Sequence, residues 1–204
     1  MSQTAHKAMM MFAALLAAAC LSAGPLAAPA ERPGQAGNTQ QAEEANTPMI
    51  SLEDMLTAQS PLMEGRDMAD ARALIMMSTS HGITSNWVAD SRDGQMFQAY
   101  GNLEGWLFFP ERIPSRGTLE TADWQALVDL LSRYQVNRWE ADYGTPGEDL
   151  SQGTGWTLIL LFEDGTVERR QGVGTSDAFP ENFHALEREL AALFERALGP
   201  IPKK

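Results

Sequence analysis

The sequence predicts an α+β fold: a mostly antiparallel sheet of hairpins packed against two main helices. Three observations carry that reading. Short apolar runs around residues 73–79, 96–100 and 156–162 are separated by Gly-bearing turn signals, the pattern of hairpin strands. Two segments, around 124–134 and 183–198, instead carry apolar residues at helical spacing. Neither a βαβ alternation nor an internal repeat is evident, which argues against a doubly wound or solenoid architecture.

The chain opens with a short polar stretch containing Lys7, then an apolar run from Ala8 to Leu21, then Ser22, Gly24 and Pro25. That order is the order of a secretion signal, and the run is too short to cross a bilayer comfortably, which takes ~20 apolar residues. The one cysteine of the chain, Cys20, ends the run behind Leu16-Ala17-Ala18-Ala19. This resembles the lipobox of bacterial lipoproteins, in which small residues lead into a cysteine that becomes diacylated. The family prefers leucine three places before the cysteine. Here Ala17 stands there and the leucine lies one place further back. The resemblance implies that residues 1–19 are a signal peptide, that Cys20 is the lipid attachment point, and that the chain reaches the membrane through that anchor. Leu21 after the cysteine, where aspartate is absent, fits the periplasmic face of the outer membrane. A rival cleavage site, Ala28-Pro29-Ala30 before Glu31, satisfies the small-x-small rule. Its use would discard Cys20 and leave a soluble periplasmic chain.

Residues 20–48 are rich in Ala, Pro, Gly, Gln and Glu and hold no aromatic, so they bury too little to offset their ordering entropy. They read as a lipid-anchored flexible tether. Residues 49–204 fit one α+β domain.

Within that domain, Ser51 with Asp54 three places on marks a short helix start. Ala73–Thr79 reads as a strand that turns at His81-Gly82 and pairs with Thr84–Asp90. Arg92-Asp93-Gly94 is a second turn, leading into Met96–Tyr100. Trp106–Phe109, closed off by Pro110, reads as a fourth strand. Thr121-Ala122-Asp123 opens a helix whose stripe is Trp124, Leu127, Val128, Leu130, Leu131 and Tyr134. Val136–Trp139 reads as a short strand leading out of it, and Glu140–Gly155 as an acidic loop. Trp156–Phe162 is the clearest strand, and Asp164-Gly165 turns it into Thr166–Arg170. Phe183, Leu186, Leu190, Leu193, Phe194 and Leu198 share one face of a last helix ended by Gly199-Pro200. The run Trp139, Trp156-Thr157-Leu158, Phe162-Glu163-Asp164-Gly165 and Phe179-Pro180-Glu181-Asn182-Phe183 is similar to that of uncharacterised bacterial exported proteins. That resemblance implies a fold and no activity.

The formal net charge is −12, and removing residues 1–19 takes away Lys7 and no acid, moving it to −13. Nucleic acid demands Lys/Arg patches, so no nucleic-acid partner is expected. With no second cysteine, no intramolecular disulfide can form.

Candidate chemistry is sparse. His81 and His184 lie in no metal-ligand spacing, and no metal or other cofactor is expected. Ser78, Ser80 and Ser85 lie near His81, but no G-x-S-x-G elbow accompanies them. Glu140, Asp142, Glu148 and Asp149 lack the register of a calcium loop. Among the five tryptophans, Trp124 and Trp156 fall on apolar stripes and belong to the core. Trp87 and Trp139 have more polar neighbours and are the better candidates for a binding surface, against core packing. The sequence therefore favours a non-enzymatic envelope lipoprotein that binds an envelope protein or cell-wall partner. A periplasmic hydrolase with an unrecognised site, or a soluble binding protein cleaved after Ala30, is the alternative.

Overall fold

A computed structural model describes residues 50–144, 154–174 and 176–202. The leader, Cys20, the rival site at Ala30 and the whole of the tether, 20–48, lie outside them. So do Glu148 and Asp149 of the acidic segment.

The first elements follow from local rules. Ser51 caps α1 (Leu52–Thr57) in a capping box with Asp54. The strands β1 (Ala71–Ser80) and β2 (Ile83–Asp90) form a hairpin whose two-residue turn is His81-Gly82. Both turn residues have positive φ, +51° and +74°, as a turn matching strand twist requires. The strand β3 (Gln95–Tyr100) pairs with β2 and with the short β4 (Ser115–Thr118). The helices α3 (Thr121–Arg133) and α4 (Phe183–Leu198) carry the two apolar stripes. The long hairpin β6 (Thr154–Phe162) and β7 (Val167–Gly174) completes the framework.

The strands form one seven-stranded sheet in the order β4-β3-β2-β1-β6-β7-β5, where β5 is Asp142–Gly144. Every pairing is antiparallel except β5 on β7. The fold is α+β, as the hairpin and helix patterns predict. All described residues belong to one compact unit, Glu44–Lys204.

Because successive side chains alternate faces, the central strands bury both. Leu74, Met76, Trp87, Met96, Leu158, Leu160 and Phe162 meet α3 and α4 in the main core. Ala73, Ile75, Val88, Phe97, Ile159, Leu161 and Val167 form a smaller core on the opposite face with Met55 of α1 and Leu103. Burial on both faces is why β1 reads as a continuous apolar run rather than an alternation.

Three local expectations are corrected. Trp106–Phe109 lies not in a strand but in and just after a helix, α2 (Leu103–Phe108). Asn102 caps it, its Oδ1 accepting from Glu104 N at 2.9 Å. Leu103 and Leu107, four apart, turn toward the smaller core and leave Phe108 73% exposed. Val136–Arg138 is a 3₁₀ turn entered through Gln135 at φ +52°, not a strand. The segment expected as loop contains β5, whose parallel pairing comes from a distant strand and leaves no local signature.

Candidate functional site

The helices α1 and α2 cover only part of the second sheet face. Beyond them, among the described residues, a groove of about 840 Å³ opens on the sheet. Strand register defines its floor. One cross-strand row runs Asn86–Met77–Thr157–Gln171, and the next runs Thr84–Thr79–Gly155–Val173. Gly155 contributes only backbone at the centre. Arg169 enters from a third row, Val88–Ile75–Ile159–Arg169, at the border with the smaller core. Leu56 of α1, with Leu103 and Glu104 of α2, forms part of the walls. Ile83 and Tyr100, 61% and 50% exposed, stand on the rim.

The groove is polar in a specific way. Thr79 and Thr84 hydroxyls lie 2.9 Å apart across the hairpin. Asn86 is fully buried, and its Nδ2 donates to the carbonyls of Ala99 and Gly101 at 3.1 and 2.8 Å. Both partners are acceptors, so the amide orientation is fixed, and Oδ1 is left without a donor among the described residues. An unsatisfied buried acceptor costs ~1–3 kcal/mol. The half-buried Arg169 donates from Nη2 to the Leu56 carbonyl and forms no ion pair among the described residues. Burial pushes its guanidinium below the ordinary arginine value, with no carboxylate pulling the other way. It is one of two charged side chains in the groove lining; Glu104 is the other.

A charged cluster lies on the opposite face, buried at Glu168 and Arg170 and reaching the surface at Asp164. Glu168 and Arg170, each fully buried, pair at 2.9 Å. Glu168 Oε1 also accepts from Met63 N at 3.0 Å and lies 3.6 Å from Arg66 Nη1. Arg66 stacks over the Phe162 ring at 3.9 Å and reaches Asp164. Among the described residues Arg170 Nε and Nη1 have no hydrogen-bond partner. Paired within itself, this cluster joins β7 to the segment before β1.

The tryptophans expected at the surface are in the core. Trp87 is 7% and Trp139 6% exposed. The polar neighbours that suggested exposure belong to the other strand face, as with Asn86, or to the 3₁₀ turn before Trp139. Trp139 packs edge-on against Trp156 at 5.5 Å and tilted against Phe183 at 6.1 Å. Trp156 is buried, as its apolar stripe predicts, and donates from Nε1 to Ala178 O at 2.7 Å. The aromatics left outside are Tyr100, Phe108 and Phe109.

His81 is exposed at the hairpin tip, with Ser80 Oγ 2.9 Å from its Nδ1. Among the described residues no carboxylate hydrogen-bonds that ring, so the orienting member of a triad has no counterpart there. Ser78 is buried and Ser85 half-buried in the sheet. His184 lies 3.4 Å from Glu187 on the exposed side of α4. Asp142 accepts from Gln171 Nε2 at 2.8 Å. Among the described residues no group of three or more His, Cys, Asp or Glu is placed to hold a metal ion, and no helix is long and apolar enough to cross a membrane.

The groove was not foreseen from the sequence, because its residues come from five strands and two helices scattered over more than a hundred positions. No protein-family model, no curated protein and no solved structure matches this chain.

Proposed function

We propose that this chain is an envelope lipoprotein, anchored through Cys20, whose domain binds a partner or ligand in the groove beyond α1 and α2 without transforming it. The groove itself is the observation that carries the reading. It is an open concavity with a polar floor, an apolar rim and an arginine that no acid neutralises among the described residues, the composition of a recognition site. The lipobox-like leader supports the anchor, and the tether supports a domain held at some distance from the membrane. The acidic balance of −12 supports a partner other than nucleic acid.

Thr157 is half-buried at the centre of the floor, and phenylalanine suits a strand, so Thr157→Phe fills the groove with little harm to the sheet. Native mass spectrometry of the full chain, extracted from its own membranes, tests the proposal. A bound mass present in the wild type and lost in a Thr157→Phe chain of unchanged melting temperature is expected. The same bound mass in both would place the ligand elsewhere.

A further inference from the structure

Building on the groove as the binding site, we propose that its ligand is a short extended peptide with a free C-terminal carboxylate, held by the guanidinium of Arg169. Three observations point to that chemistry.

The first is charge. The chain carries 27 acidic against 15 basic residues, yet Arg169 at the groove floor has no acidic partner among the described residues. Among the described residues its one side-chain hydrogen bond uses Nη2 and leaves the rest of the guanidinium fork without a partner. A planar fork that meets a carboxylate makes two parallel, charge-assisted hydrogen bonds. Desolvation already disfavours the lone cation, and an arriving carboxylate relieves that. Glu104 on the α2 wall has the opposite sign. It repels an anion there and so fixes the carboxylate toward β7.

The second is span. Asn86 on β2 and Arg169 on β7 lie three strand steps apart, through β1 and β6. At ~4.8 Å per step this is ~14 Å. An extended chain covers ~3.4 Å per residue, so about four residues cross the floor.

The third is the floor's hydrogen-bonding character. Thr157 presents a hydroxyl in the row of Asn86, Thr79 and Thr84 present theirs in the row beside it, and Asn86 Oδ1 lacks a donor among the described residues. Peptide N–H and C=O groups recur along an extended ligand and match such a floor. An alkyl chain would leave the Thr157 hydroxyl and Asn86 Oδ1 unmatched, and the open groove would not hide it from water.

The probes are two libraries of N-acetylated tetrapeptides, one ending in a free acid and one in a C-terminal amide. Each is offered to the full chain, and retained species are read by affinity-selection mass spectrometry. Selected sequences are then titrated as acid and as amide. Retention from the acid library is expected, with the amide form at least tenfold weaker. In Arg169→Gln that preference should vanish, while Arg169→Lys, which keeps the charge and loses the fork, should retain part of it. Melting curves confirm that each variant folds. Amides retained as well as acids, or an acid preference that survives Arg169→Gln, would overturn the proposal. If both forms bind equally and Thr157→Phe abolishes both, the carboxylate assignment falls and the groove stands. If neither library is retained, the peptide assignment falls, and the native-mass experiment continues to judge the groove independently.

Discussion

At the scale of single residues, the least forgiving position is Glu168. It is fully buried and is the carboxylate that faces both Arg66 and Arg170. Removing its charge leaves cationic groups stranded in the core, and breaking a buried pair this way costs ~3–5 kcal/mol. Glu168→Gln should therefore lower the urea midpoint by that equivalent with an unchanged denaturant slope. A loss under ~1 kcal/mol would mean that the arginines find other partners. Asp164 gives the pH dependence. Hydrogen bonds from Thr166 and from Arg66 hold its carboxyl down from 3.8 to about 2. A depressed folded value means that the stabilisation is present above the ordinary carboxylate value and is lost as pH falls through the interval toward about 2. Asp164 is about half exposed, so solvent screening keeps the effect small. Asp164→Asn should flatten the melting-temperature profile between pH 4 and 2, and an unaltered profile would assign that slope to other acids. Residue identity was legible from sequence where one face decides it, as for Trp156 on its apolar stripe. It was not legible for Trp87 and Trp139, because polarity of chain neighbours says little about burial when alternate strand residues face opposite sides.

At the scale of elements, helix and strand type followed from periodicity wherever a segment was long. The strands β1, β2, β3, β6 and β7 and the helices α3 and α4 all lie where apolar spacing places them. Short segments decided by tertiary contact did not follow. The run Trp106–Phe109 has strand propensity, but the Asn102 cap and the Leu103–Leu107 contact make a helix of the segment ending at Phe108. Packing is close where β7 meets the 3₁₀ turn Ser176–Ala178. A Cβ at Gly172 would stand 2.0 Å from Ala178 O and 2.3 Å from Trp156 Nε1. Both atoms belong to the bond that seats Trp156 in the main core. Gly172→Ala should thus cost at least ~1–3 kcal/mol, the range for overpacking, and should shift tryptophan fluorescence as the indole moves. Unchanged stability and emission would show that the turn yields freely. The helices are clasped as well: Glu189 of α4 accepts from Tyr134 at 2.6 Å and from Arg133 at 2.7 Å, and these contacts hold its carboxyl below the usual glutamate range.

At the scale of the whole molecule, the sheet separates two tasks. One face carries α3 and α4 and the larger core, and so holds the fold together. The other, among the described residues, is covered only in part, and its open end forms the groove. No local pattern announces such a division, since the floor assembles through pairings of strands far apart in sequence. The proposed anchor is the opposite case, read from one contiguous stretch ending at Cys20. If the anchor holds, the groove's ligand belongs among components that a tethered domain meets near a membrane, and the local concentration set by the tether favours even weak binding. The most direct test is the intact mass of the mature protein from a membrane fraction, with Cys20→Ser alongside. The account predicts a chain that begins at Cys20 and carries added acyl mass, absent in the variant. A soluble, unmodified chain that begins at Glu31 would contradict it.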